Sequence, residues 1–189
     1  MTGFALHLLR HGAPETPGLL MGRTDGAPTD EGIAACVMQA RHLCIERLIA
    51  SDLRRSRAAG EAIGALLGIS LAIDPRWREL DFGEWDGKAA SAADPDALSR
   101  FWADPDANPP PEGERWSVLV ARVSAAIRDL APVPTLIVTH GGAMRAALHA
   151  LCGFNQRQPW AFDLPYAARL SLRVWPGEPP AAQITGLAP

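Results

Sequence analysis

A chain of 189 residues, 48% hydrophobic and 21% charged, is long enough for one domain with a substantial core and has the composition of a folded globular protein. Its formal net charge of −3 argues against nucleic acid as the main partner, and no apolar run reaches the roughly 20 residues a membrane span needs. Met1-Thr2-Gly3 carries no positively charged leader, so no signal peptide is expected and the cytoplasm is the default location.

The first element is Phe4-Ala5-Leu6-His7-Leu8-Leu9, a mostly apolar run that reads as a strand buried on both faces of a parallel sheet. It runs into Arg10-His11-Gly12, and a Gly- and Pro-rich loop follows, from Ala13 to Asp30. Loops of that length in a compact domain are usually functional. Thr29 or Asp30 caps the next helix, on which Ile33, Val37, Ala40 and Leu43 keep helical spacing. Cys36 and Cys44 are expected on that helix as buried thiols. With Cys152 they make an odd number without C-x-x-C spacing, so neither a disulfide framework nor a zinc site is suggested. Arg47–Ser51 is a second strand. Ser51-Asp52 then opens a helix that holds Arg54 and Arg55 in its first turn and stops at Gly68.

Leu71–Asp74 is a third strand, closed by Pro75, and residues 77–87 after it are dense in carboxylates and aromatics. Within residues 88–115 a short helix over Ala97–Trp102 precedes a proline-rich stretch that cannot be helical. A long helix is expected over Ser117–Leu130, and Pro134–Thr139 has the strongest character of a buried strand. That strand ends in His140-Gly141-Gly142 and passes into a helix over Ala143–Leu151, stopped by Gly153. Arg169–Val174 alternates with period two, and Gln183-Ile184-Thr185 pairs back on it as a hairpin. No repeat, low-complexity tract or linker divides residues 1–189, which are expected to form a single domain. The element order predicts an α/β fold: a three-layer α/β/α sandwich with a mostly parallel central sheet and the C-terminal β-hairpin at its edge.

In open α/β sheets ligands collect beyond the carboxyl ends of the strands. Two strands here end in histidine followed by glycine, which places His11 and His140 at the same sheet edge. Gly12 lets the backbone turn sharply and approach a ligand closely. Arg55 can reach the same edge, and helix N-termini there add backbone N–H groups. Arginine forks suit phosphate oxygens and neutral imidazole is a competent nucleophile, so the set suits a tetrahedral dianion.

Leu9-Arg10-His11-Gly12 is similar to the signature of the histidine phosphatase superfamily, which includes the cofactor-dependent phosphoglycerate mutases. Ser51-Asp52-Leu53-Arg54-Arg55-Ser56 resembles its second-arginine motif, Glu79 through Gly87 its acid motif, and Val138-Thr139-His140-Gly141-Gly142 its second-histidine motif. Four motifs in family order span residues 4 to about 150. The resemblance implies a phosphoglycerate mutase-like fold and a two-step transfer on a small phosphomonoester. His11 attacks phosphorus, Arg10, Arg55 and His140 hold the equatorial oxygens, and Glu79 protonates the leaving alkoxide and later activates water. Gly12, Gly141 and Arg23 complete the implied substrate-binding set, although Arg23 reads equally well as a solvated loop arginine. To act as an acid Glu79 must hold a proton near neutrality. Burial beside Trp77, Trp85 or Phe82 favours that and the arginines oppose it. Asp81, Glu84 and Asp86 are weaker rivals for the role. Arg145, one turn into its helix, reads as structural, His7 as a core or edge histidine, and His42 and His149 as helical and structural or exposed.

The chain departs from the family pattern where many members carry Glu and Asn, and has Ala13 and Pro17 instead. Pro110–Glu114 resembles a lid-side motif whose closing Ser is replaced by Arg115. The mechanism implies no metal and no cofactor, and no membrane or nucleic-acid partner is expected. Mutases of the family are longer, with insertions that keep water from the phosphohistidine, so this short chain favours hydrolysis. The Gly22-Arg23-Thr24-Asp25 loop and the acid motif look most like those of α-ribazole phosphatases. A bisphosphate-primed phosphoglycerate mutase and a catalytically idle phosphate-binding regulatory domain are the alternatives. The oligomeric state is not legible.

Overall fold

The computed structural model describes residues 2–189. Six strands, β1 (Phe4–Arg10), β2 (Arg47–Ala50), β3 (Leu71–Ile73), β4 (Thr135–Thr139), β5 (Arg169–Trp175) and β6 (Ala181–Ala188), form one sheet in the order β3-β2-β4-β1-β5-β6. The first four are parallel, and β5 and β6 are antiparallel. The hairpin therefore sits at the edge, as expected. One consequence corrects the reading of the first strand: β1 has a parallel neighbour on one side only, because β5 closes its other side in antiparallel register.

Alternation along the central strands sorts the core into two layers. Leu9, Leu48, Ala50, Leu136 and Val138 face α1 (Asp30–Ala40) and α2 (Arg54–Leu67). Leu6, Leu8, Ile49 and Ile137 face α4 (Trp116–Arg128) and α5 (Gly141–Cys152), the layer that also takes Phe101 of α3 (Pro95–Ala103). Both faces are covered, as a parallel sheet requires. Among the described residues no helix is long and apolar enough to cross a membrane.

Thr29 caps α1 by accepting from the Gly32 N–H, and Gly68 and Gly153 end α2 and α5 in left-handed conformation. The reading of α1 runs too far, however. The helix ends at Ala40, and small residues, Gly32, Cys36 and Ala40, take its buried face rather than Ile33 and Val37. His42 falls in the turn beyond it, and Cys44 is exposed. A close approach at the start of α1 explains the small face: a Cβ on Gly12 would lie 1.9 Å from the Gly32 carbonyl oxygen. Gly12 thus lets α1 press against the end of β1.

Candidate active site

Parallel pairing of β1 with β4 sets Arg10 opposite Thr139, and the His11 N–H donates to the Thr139 carbonyl at 2.8 Å. The next residue on each strand is a histidine, so the two imidazoles meet with ring centroids 5.1 Å apart. His11 Nδ1 lies 2.8 Å from the Gly12 carbonyl oxygen. A carbonyl only accepts, so Nδ1 carries the proton and Nε2 carries the lone pair. Burial lowers the His11 pKa well below its usual value of 6.5, and the charges of Arg55 and Arg10 push the same way. An uncharged ring keeps the Nε2 lone pair available to an electrophile.

His140 caps α5 in extended conformation and is fully buried. Its Nε2 lies 3.0 Å from Ser51 Oγ, at the end of β2, and 3.2 Å from Ser56 Oγ, in the first turn of α2. Nδ1 is left buried without a protein partner. Burial first, then the Arg55, His11 and Arg10 charges, hold its pKa well below 6.5 as well. The two serines fix the ring, a role sequence reasoning missed because Ser at a strand end and in a helix first turn reads as punctuation.

Arg10 donates through Nη1 to the Leu164 carbonyl at 2.6 Å and lies over the Tyr166 ring at 4.3 Å, with Nε buried and unpartnered. Tyr166 also packs on His11, with ring centroids 5.4 Å apart. Arg55 is 1% exposed, and its terminal nitrogens donate to the Met21, Gly22 and Thr24 carbonyls. It anchors the first loop beside the histidines, and its Nε, like that of Arg10, has no protein partner. Three unpartnered nitrogens, on Arg10, Arg55 and His140, therefore belong to residues whose charge or ring borders His11.

Glu79 lines the same cavity, and each carboxyl oxygen accepts one backbone N–H, from Leu80 at 2.8 Å and from Gly142 at 3.0 Å. A Cβ on Gly142 would lie 2.0 Å from Glu79 Oε1, so the approach of this carboxyl to α5 depends on glycine there. The segment that carries it is tied down by Arg122 of α4, which donates to the Arg76, Arg78 and Glu79 carbonyls and grips Glu114 with two bonds of 2.8 Å.

The expected residues divide accordingly. Arg10, His11, Glu79 and Gly141 line a cavity of about 250 Å³, whereas Arg55 and His140 are buried and do not line it. Gly12 faces α1. Arg23 is at the exposed rim, its Nε 3.0 Å from Asp81. Of the rival acids, Asp81 also accepts from the Gly83 N–H, Asp86 accepts from the Arg23 and Thr24 N–H groups, and Glu84 is exposed; none lines the cavity. Arg145, expected to be structural, lines it, because a side chain four residues after Gly141 reaches back toward the helix start. Arg115 starts α4 without a side-chain cap, and Asp106 instead accepts from the Ser117 N–H at 2.7 Å. Among the described residues no three His, Cys, Asp or Glu side chains form a metal-holding group.

Residues 6–185 match the histidine phosphatase superfamily (branch 1). The chain belongs to that superfamily. This histidine phosphatase is 29% identical over 173 residues to a Hydrogenobacter thermophilus protein provisionally named phosphoserine phosphatase 2, with 86% of this chain and 85% of that one covered. It is 29% identical over 160 residues to an Erwinia tasmaniensis protein provisionally named phosphoglycerate mutase, covering 78% and 74% of the two chains. In structure it resembles an Escherichia coli protein provisionally described as an alpha-ribazole-5'-P phosphatase, with a TM-score of 0.83 at 20% identity over 98% of this chain and 96% of the other. The last likeness shows the shared fold.

Proposed function

We propose that the protein is a phosphomonoesterase that hydrolyses a small phosphorylated metabolite through a phosphohistidine on His11, without a metal or cofactor. The observation that carries this reading is the neutral, tautomer-fixed His11 facing a cavity that also holds Glu79, with Arg10, Arg55 and His140 around it. In the first step His11 Nε2 attacks phosphorus and the P–O bond to the alcohol breaks, while Glu79 gives its proton to the leaving oxygen. In the second, Glu79 takes a proton from water as that water attacks phosphorus, the P–N bond breaks, and orthophosphate leaves. Arg10, Arg55 and His140 stabilise the charge spread over the three equatorial oxygens.

Incubation with an aryl phosphate and a chelator is expected to release phosphate, and His11→Ala to abolish the release. A screen of phosphorylated metabolites that includes α-ribazole 5'-phosphate and phosphoserine addresses the natural substrate. Similarity to a relative named as a mutase supports a second reading, bisphosphate-primed phosphoglycerate mutation. Isomerisation of phosphoglycerate faster than its hydrolysis would select it.

A further inference from the structure

The cavity has two unlike ends. Its floor carries Arg10, His11, Glu79 and the start of α5, whereas Leu19, Leu20, Phe82 and Leu119 form walls without polar side-chain atoms. At its mouth stand Trp102 and Trp160, which remain 45% and 40% exposed. They meet edge to face, with ring centroids 5.2 Å apart and planes at 86°. Neither ring is loose. Trp102 packs on Phe101 at 4.8 Å, Phe101 is wedged against Phe82 and Trp85, and Trp160 lies over the Arg145 guanidinium at 4.4 Å. Rings held this way offer large contact area at little cost in side-chain freedom, and their exposed faces gain only when an apolar group covers them.

We infer that the substrates are phosphomonoesters whose alcohol carries an uncharged aromatic ring system, held by Trp102 and Trp160 while the phosphoryl group rests at His11. The inference deepens the phosphatase reading and rests on it. The lining supports it. Besides Arg10 the lining holds one further cation, Arg145, whose terminal nitrogens donate to the Gly141 and Phe162 carbonyls at 3.3 Å each, whose guanidinium packs against the Trp160 ring, and whose Nε has no protein partner. Against Leu19, Leu20, Phe82 and Leu119 a sugar hydroxyl would leave water with no hydrogen bond in return. A flat, two-ring group loses nothing polar on entry and covers both tryptophans.

The test compares esters of primary alcohols: 2-(2-naphthyl)ethyl phosphate, ethyl phosphate, phosphoserine, 3-phosphoglycerate and glucose 6-phosphate. The naphthylethyl ester is expected to exceed each of the others at least tenfold in kcat/KM, chiefly through KM. Trp102→Leu and Trp160→Leu are each expected to shrink the naphthylethyl-to-ethyl ratio severalfold. Naphthylethylphosphonate is expected to inhibit the wild-type protein at least tenfold more tightly than ethylphosphonate, a measurement that needs no variant to fold. Equal or faster turnover of phosphoserine, phosphoglycerate or glucose 6-phosphate would overturn the inference and leave the phosphatase reading intact. So would an unchanged ratio in both folded variants, or phosphonates of equal potency. No hydrolysis of any ester, p-nitrophenyl phosphate included, would defeat the phosphatase reading and the inference with it.

Discussion

The role of Glu79 is open to a test on the leaving alcohol. If this carboxyl protonates the departing oxygen, Glu79→Gln lowers kcat/KM by about 10²- to 10⁴-fold for alkyl phosphates. For p-nitrophenyl phosphate, whose phenolate leaves unaided, the loss in the first step is much smaller. Gly142→Ala is expected to show the same selectivity, because its methyl would displace Glu79 rather than remove it. Because kcat/KM reports the first step and not the hydrolysis of the phosphohistidine that both ester classes share, its measurement on both classes checks the pair, and equal losses in it would remove Glu79 from the acid role. The depressed pKa of His11 gives a second expectation. In the free enzyme His11 stays unprotonated as pH falls through 6.5, so kcat/KM, corrected for substrate ionisation, shows no His11 acid limb there. An acid limb centred near 6.5 would contradict that. At this scale His11, His140, Arg10 and Glu79 were legible because each ends a strand or sits in a motif. Tyr166, Ser51 and Arg145 were not, because what matters about them is which distant residue they touch.

Between elements, the main constraint on the site is the clamp from α4. Arg122 holds three carbonyls of the segment ending at Glu79 and both oxygens of the nearly buried Glu114. Arg122→Leu would leave Glu114 uncompensated, a change that costs about 3–5 kcal/mol when a buried pair loses one member. Denaturant unfolding checks the magnitude, and loss of activity at temperatures where the variant is still folded would show that the clamp also positions Glu79. Read along the helix, Arg122 is one more polar residue between apolar ones, so its role had no local signal. The helices and strands did have one: Gly68 and Gly153 mark helix ends, and the apolar run before His140 marks β4. The end of α1 did not, since nothing in Arg41-His42-Leu43 breaks a helix. The turn there is set by the need to reach β2, and the Leu43 N–H closes it on the Ala40 carbonyl.

At the scale of the molecule, three histidines are kept neutral by the fold. His7 is pushed down to about 4 by burial and by the Arg169 charge, and His11 and His140 lie well below 6.5. In the unfolded chain each titrates near 6.5. Between those values the unfolded state binds more protons, so stability is intact above about pH 6.5 and declines as pH falls through the window toward 4. Thermal melts across that range are expected to show Tm falling well before the carboxylates titrate, and His7→Gln to flatten the upper part of the fall. A Tm constant from pH 7 to 5 would contradict the three assignments. The layer order was legible at this scale from the alternation of strand and helix signals. The register was not, because strand sequences specify burial and leave open which residue of β1 meets which of β4.

The bond from His11 Nδ1 to the carbonyl of its own neighbour has a chemical signature. It leaves only the far ring nitrogen to become phosphorylated, so a rapidly quenched intermediate should be tele-phosphohistidine and not the pros isomer. Isomer-selective antibodies distinguish the two, and a pros signal on His11 would mean that this bond breaks before the chemistry begins.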